Sequence, residues 1–230
     1  MNPPNHTTVA SAGAERPVRR RRIEIVLGLL LTLGVANLPI GAWGERLLPR
    51  APLVGREIPW WFAVAVILLY VKLVERRPLS SIGFRRPRLW DIPIAIMAGI
   101  LMVVAVVFIY NVVFPALHLV MNTGEMNALI ATPFWYRFML VTRAAVAEET
   151  LFRGYPIERL EELSGSRFLA GAISWAAFTI AHLSAWGGAQ LLIAGTGGVI
   201  LTVLYLWRRN LPANMVAHWI ADGAGFLMPR

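Results

Sequence analysis

Seven long apolar runs, separated by short polar or basic links, set the pattern of this chain. They fall at 23–40, 59–74, 92–114, 134–152, 168–186, 189–207 and 211–228. A hydrocarbon core about 30 Å thick takes about 20 helical residues to cross. Most of the runs therefore predict a transmembrane helix, with 59–74 the short one. No stretch alternates like a barrel strand, and no internal repeat suggests inverted transporter halves. The expected fold is an all-α, polytopic transmembrane helical bundle of about seven spans, with six and eight as neighbouring counts.

Residues 1–22 are polar and end in Arg19-Arg20-Arg21-Arg22, which reads as a disordered basic cytoplasmic tail. The remainder, 23–230, reads as a single transmembrane domain. The run 23–40 has no clear small-x-small cleavage site, so it predicts a retained first span rather than a signal peptide. The segment Ile157 to Leu163 continues span four as a helix at or beyond the interface, closed by a turn at Ser164-Gly165-Ser166.

Composition sharpens this picture. Hydrophobic residues make up 57% of the chain and charged residues 15%. Soluble domains carry about 25% charged residues, so too little polar surface is present to cover a water-soluble core. The solvent, and first partner, is the lipid bilayer. A net charge of +9 raises the question of nucleic acid. The basic residues cluster in the links, however, as positive-inside topology requires, and no nucleic-acid partner is expected.

The links at 75–91, 153–167 and 208–210 carry arginines, whereas 115–133 contains no Lys or Arg. This alternation puts the N-terminus in the cytoplasm, and the composition suggests a bacterial plasma membrane. Only 41–58, with three Arg and two Glu, fits poorly. Cysteine is absent, which removes disulfides and thiolate chemistry.

Ionisable residues inside apolar helices cost about 2.5–3.5 kcal/mol each at a helix centre, so a cluster of them needs a reason. Glu24 and Lys72 lie near span ends and can snorkel. Spans four, five and seven carry the others: Glu148, Glu149 and Arg153; Phe178 and His182; His218 and Asp222. Glu149 and Arg153 share a helix face and can pair, leaving Glu148 turned about 100° away and free. His218 and Asp222 also share a face. Phe178 lies one turn before His182, where it can wall a site or hold the imidazole. Glu148 and His182 are each 17 residues from Gly165, so a hairpin of spans four and five brings them to one depth. Ala144, Ala145, Ala147, Ala176 and Ala177 favour close approach of those helices.

Such a cluster supports hydrolysis. A carboxylate beside an imidazole can deprotonate water, and a second His can steady an oxyanion. Alternatively Glu148, His182 and His218 hold a divalent metal such as zinc. The spacing is not His-Glu-x-x-His, so zinc and a metal-free site both stand as readings.

Glu148-Glu149-x-x-x-Arg153, Phe178-x-x-x-His182 and His218-x-x-x-Asp222 together resemble the signature of the CPBP intramembrane proteases. That family includes the type II CAAX prenyl endopeptidases and the Abi, bacteriocin-immunity-like proteins. The resemblance covers about 134–225, with Leu79-Ser80-Ser81-Ile82-Gly83-Phe84 as a weaker family-like entry. It implies Glu148 as the water-activating base assisted by His182, His218 and Asp222 on the oxyanion side, and Glu149-Arg153 in support. Asp222 departs from the Asn of the prenyl proteases, and so must be protonated, orient His218 or ligate a metal.

The expected activity is endopeptidase cleavage of a membrane-associated peptide or protein. A non-catalytic scaffold or self-immunity protein of the same fold is the alternative, and an ion or proton carrier the third reading. Other polar residues carry plainer expectations. Arg143 pairs or snorkels, Arg137 snorkels, and His118 is solvated. Gly195, Gly197 and Gly198 permit close helix contact. Trp43, Trp60, Trp61, Trp90 and Trp135 form an interfacial belt.

Overall fold

The computed structural model describes residues 18–120, 123–183 and 187–228. Within them every regular element is helical: α1 (Val18–Leu29), α2 (Ile40–Leu47), α3 (Pro52–Leu69), α4 (Asp91–Phe108), α5 (Thr123–Ile130), α6 (Phe134–Glu148), α7 (Tyr155–Ser164), α8 (Arg167–Ala181), α9 (Gln190–Arg208) and α10 (Leu211–Phe226). Wider π turns extend α1 through Leu30–Gly34, α3 through Tyr70–Val74 and α4 through Ile109–Val113, and another, Glu149–Gly154, joins α6 to α7.

Three described helices are long and apolar enough to cross a membrane: Pro52–Val74, Asp91–Ala116 and Gln190–Arg208. Arg167–Ala181 is a shorter apolar helix. These make the chain an integral membrane protein. The run expected to be short, 59–74, belongs to a helix of 23 residues, because Pro52 starts α3 a full two turns earlier. Proline fits the first helical turn, where its missing N–H has no partner to lose.

Several expectations are corrected here. Residues 18–22, assigned to the disordered tail, form the first turns of α1, while 1–17 lie outside the described residues. Glu24, expected to snorkel, is buried and accepts from Arg20 Nε at 3.1 Å. The poorly fitting link 41–58 is not a loop: α2 and the start of α3 form a tight pair there. Arg137 does not simply snorkel; its Nη1 donates to Phe226 O at 3.0 Å at the end of α10. His118 is exposed, as expected.

Packing places α10 against α4 and α6, and α9 against α8 and α4. Spans four and five do not run together along their length. Instead α6 leans on α10 and α3, whereas α8 packs on α7, α9 and the π turn. The buried alanines Ala144, Ala145 and Ala147 accordingly belong to the contacts of α6 with its other neighbours. The hairpin closes at its Gly165 end and opens toward its other end. That divergence makes room for a cavity.

The end bearing the arginine-rich links is knitted by ion pairs. Arg159 Nε meets both oxygens of the buried Glu75 at 3.0 Å, and Tyr155 donates to the same carboxylate at 2.8 Å. Arg159 also reaches Ser81 O and Oγ at 3.2 and 3.0 Å. Asp91 holds Arg208 Nε at 2.7 Å and Asn210 Nδ2 at 3.2 Å. The Leu79–Phe84 segment is thus an anchored 3-10 turn: Ile82 is fully buried, and Gly83 O accepts from Leu211 N at 2.8 Å.

Gly83 has φ +83°, and a Cβ there would stand 2.5 Å from the Tyr205 hydroxyl. Gly83→Ala is expected to destabilise the fold by about 1–3 kcal/mol through left-handed strain and this overlap. A matched thermal-unfolding series in detergent reads the shift, and an unchanged midpoint would contradict it.

Candidate active site

Helix α6 ends at Glu148, and the π turn Glu149–Gly154 that follows winds more loosely than an α-helix. Single π turns inside helices recur at functional sites because they redirect side chains. Here consecutive acidic residues have different surroundings. Glu148 lines a cavity of about 560 Å³ together with His182, His218 and Asp222, whereas Glu149 is wholly buried between the π turn and α10.

Glu149 is fully satisfied. Its carboxylate accepts from Arg153 Nη1 at 3.0 Å and from Asn214 Nδ2 at 3.0 Å, and contacts His218 Nδ1 at 2.8 Å. Asn214 also donates to Leu201 O at 2.8 Å, tying α10 to α9. The Arg153 guanidinium lies 3.9 Å from the centre of the Phe178 ring, a cation–π contact, and Nη2 reaches Gly198 O at 3.5 Å. Gly198 allows this closeness, since a Cβ there would stand 3.0 Å from Phe178. The expected Glu149–Arg153 pair therefore forms, and it does more than neutralise charge. It fixes one face of His218.

The imidazoles converge on Glu148. Its Oε2 is 3.9 Å from His182 Nε2 and 3.9 Å from His218 Nε2. His182 Nδ1 sits 2.8 Å from Phe178 O, so its proton goes to that carbonyl and Nε2 is left as an acceptor toward the cavity. Phe178 also packs against His182, with ring centroids 4.5 Å apart. On the other side His218 Nδ1 faces Glu149, while its Nε2 lies 3.5 Å from Asp222 Oδ2. Of the expected roles for Asp222, orienting His218 is the one this distance serves.

All seven residues of the three sequence motifs thus occupy one region, with Glu148, Phe178, His182, His218 and Asp222 on the cavity wall and Glu149 and Arg153 buried beside them. Glu148 is not free, however. Its Oε1 accepts from Arg143 Nη1 at 3.4 Å, and Arg143 in turn is held by Glu57 on α3, Nε to Oε2, at 2.7 Å. Tyr136 donates to the other Glu57 oxygen at 3.0 Å.

Glu57 and Asn214 are the participants that the sequence reading missed. Asn214 had a usable signal, since it precedes His218 by four residues and Asp222 by eight on one helix face. Glu57 had only a weak one: an acidic residue in a link whose charge did not fit.

A metal shared by Glu148, His182 and His218 does not fit this donor set. Tetrahedral bonds of about 2.1 Å place ligand atoms roughly 3.4 Å apart, nearer than the 3.9 Å separations here, and a guanidinium already addresses the other oxygen. Among the described residues no group of three or more His, Cys, Asp or Glu side chains is arranged to hold a metal ion.

Over residues 130–224 the chain matches the model of a protein family described as type II CAAX prenyl endopeptidase Rce1-like. No curated protein and no solved structure matches it. The matched stretch runs from the end of α5 nearly to the end of α10, and so contains all three motifs that carry the resemblance.

Proposed function

We propose, from that family match and the convergence of Glu148, His182 and His218, that this protein is an intramembrane endopeptidase. Glutamate-activated water is its nucleophile. Seven spans with the N-terminus in the cytoplasm accompany this reading, which puts the arginine-rich links on the positive-inside face. The substrate is a membrane-associated peptide or protein, and entry is from the bilayer-embedded cavity.

The single observation that carries the proposal is the gap at Glu148. A separation of 3.9 Å from Oε2 to each Nε2 is too long for a direct hydrogen bond and is within the span that a single bridging water can serve. Glu148 removes a proton from that water as its oxygen attacks the scissile carbonyl carbon, and His182 Nε2 accepts the second water hydrogen bond. Negative charge collects on the former carbonyl oxygen, where protonated His218 Nε2, oriented by Glu149 and Asp222, donates a hydrogen bond. Collapse of the tetrahedral centre breaks the C–N bond, and Glu148 returns its proton to the departing amine. Water's hydroxyl ends on the new carboxyl group and its proton on the new amino group.

The test is cleavage of a membrane-anchored peptide by the protein in proteoliposomes. His182→Ala is expected to lower turnover by about 100-fold, within the range for losing one acid–base group. Absence of cleavage by the unaltered protein across a panel of peptides, or full activity of the His182 variant, contradicts the proposal.

A further inference from the structure

Along one side of the cavity, joined to the first motif through Glu148, runs a chain of polar groups: Glu57 and Trp60 on α3, then Tyr136, Arg143 and Glu148 on α6, of which Arg143 and Glu148 line the cavity. Glu57 is 1% exposed and Arg143 is 8% exposed. Two charges in such surroundings are tolerated only when each is paired, and the pairing is close: Arg143 Nε to Glu57 Oε2 at 2.7 Å, with Tyr136 on the second oxygen at 3.0 Å. The Arg143 guanidinium also lies 5.3 Å from the centre of the Trp60 ring. Held by Glu57 and flanked by Trp60, the guanidinium has little freedom, and its remaining edge points Nη1 at Glu148 Oε1, 3.4 Å away.

We propose that Arg143 is a positioning residue that turns the Glu148 carboxylate so that Oε2 faces both imidazoles, with Glu57 and Tyr136 holding Arg143 in place. The inference rests on the endopeptidase reading above and adds α3 to the parts of the molecule that shape the site.

Three physical points favour a positioning role over mere charge neutralisation. Glu148 has one oxygen committed to the guanidinium and the other at equal distances from His182 and His218. Rotation about Cγ–Cδ that swings Oε2 away from the imidazoles also carries Oε1 away from Arg143 Nη1, so the contact favours the observed orientation. The Arg143 side chain would also need no second acceptor if neutralising Glu57 were its whole task. Finally, a guanidinium offers its donors in a rigid fork, so Nε can serve one carboxylate while Nη1 serves another. An ammonium cannot reproduce both directions at once.

The experiment compares the unaltered protein, Arg143→Lys, Arg143→Met and the double variant Glu57→Leu/Arg143→Met in the proteoliposome cleavage assay. Arg143→Met leaves the Glu57 charge buried without its partner and is prone to misfold. The double variant removes both charges and keeps the fold, as its thermal unfolding will record. The double variant is expected to lose about 100-fold in kcat, the scale set by misplacing a catalytic group by about an ångström. Its KM should change little, because Arg143 already directs Nε and Nη1 to carboxylates of the protein itself. Arg143→Lys should recover part of the loss.

A folded double variant with the kcat of the unaltered protein overturns the inference, since Arg143 would then serve only to neutralise Glu57. A loss confined to KM overturns it as well, by making Arg143 a substrate contact. If Glu148→Gln is inactive while the double variant is fully active, this inference alone fails. If the unaltered protein cleaves nothing, it falls together with the endopeptidase reading.

Discussion

Glu148→Gln is expected to lower turnover by about 1,000-fold or more while leaving the fold intact. An amide cannot take a proton from water, and general-base catalysis contributes about 100- to 10,000-fold. The substitution preserves volume and leaves an oxygen to accept from Arg143 Nη1, which now stands 3.4 Å from Oε1. Unlike Glu149, Glu148 borders the cavity and carries little of the packing, its side chain being 16% exposed. Stability should therefore stay near that of the unaltered protein. Cleavage rates in proteoliposomes, alongside thermal unfolding of the same preparations, read both halves of the statement. Undiminished cleavage would remove Glu148 from the chemistry, and a collapsed fold would make its role structural.

The second large effect concerns its neighbour. Glu149→Leu is expected to destabilise the protein by about 3–5 kcal/mol, the range for breaking a buried ion pair by removing one partner. The loss strands Arg153, which is fully buried and would be left without its paired carboxylate, against the Phe178 ring and Gly198 O. Asn214 Nδ2 and His218 Nδ1 lose an acceptor at the same time.

The double variant Glu149→Leu/Arg153→Met separates two consequences. Replacing both charges by apolar groups is often neutral or stabilising, so most of the lost stability should return. Turnover should not return, because His218 remains without the carboxylate that fixes its Nδ1 side. Unfolding midpoints and cleavage rates on the three proteins decide it. A double variant that is both stable and fully active would mean that Glu149 does not orient His218.

Glu148 and Glu149 are adjacent in sequence but differ in their surroundings. Helical geometry already separates their directions by about 100°. Helix α10 then supplies Glu149 with close polar partners, Asn214 and His218, whereas Glu148 faces the cavity. One carboxylate is left beside the cavity and the other is enclosed by Arg153, Asn214 and His218.

Residue periodicity by itself determined the solvent of this protein and the order of its chemical groups. Long apolar runs require a bilayer because nothing else hides that much surface, and ionisable residues inside them declare themselves by their cost. The pairing of Glu149 with Arg153, the packing of Phe178 on His182 and the meeting of Glu148 with His182 were all legible, since they follow from spacing along a helix or depth in a hairpin.

Which helix faces which was decided only by the tertiary structure. Spacing says that Arg143 and Glu148 lie near one another on α6, but not that α3 delivers Glu57 to hold the first against the second. Nor does it say that α6 parts from α8 to leave a cavity, or that Asn214 closes the ring around Glu149. The physical reason is the same in each case. A helix's own geometry specifies the angle between its side chains, whereas the partner of a buried charge depends on how whole helices pack, and in lipid that choice rests on small residues and polar contacts spread across the bundle.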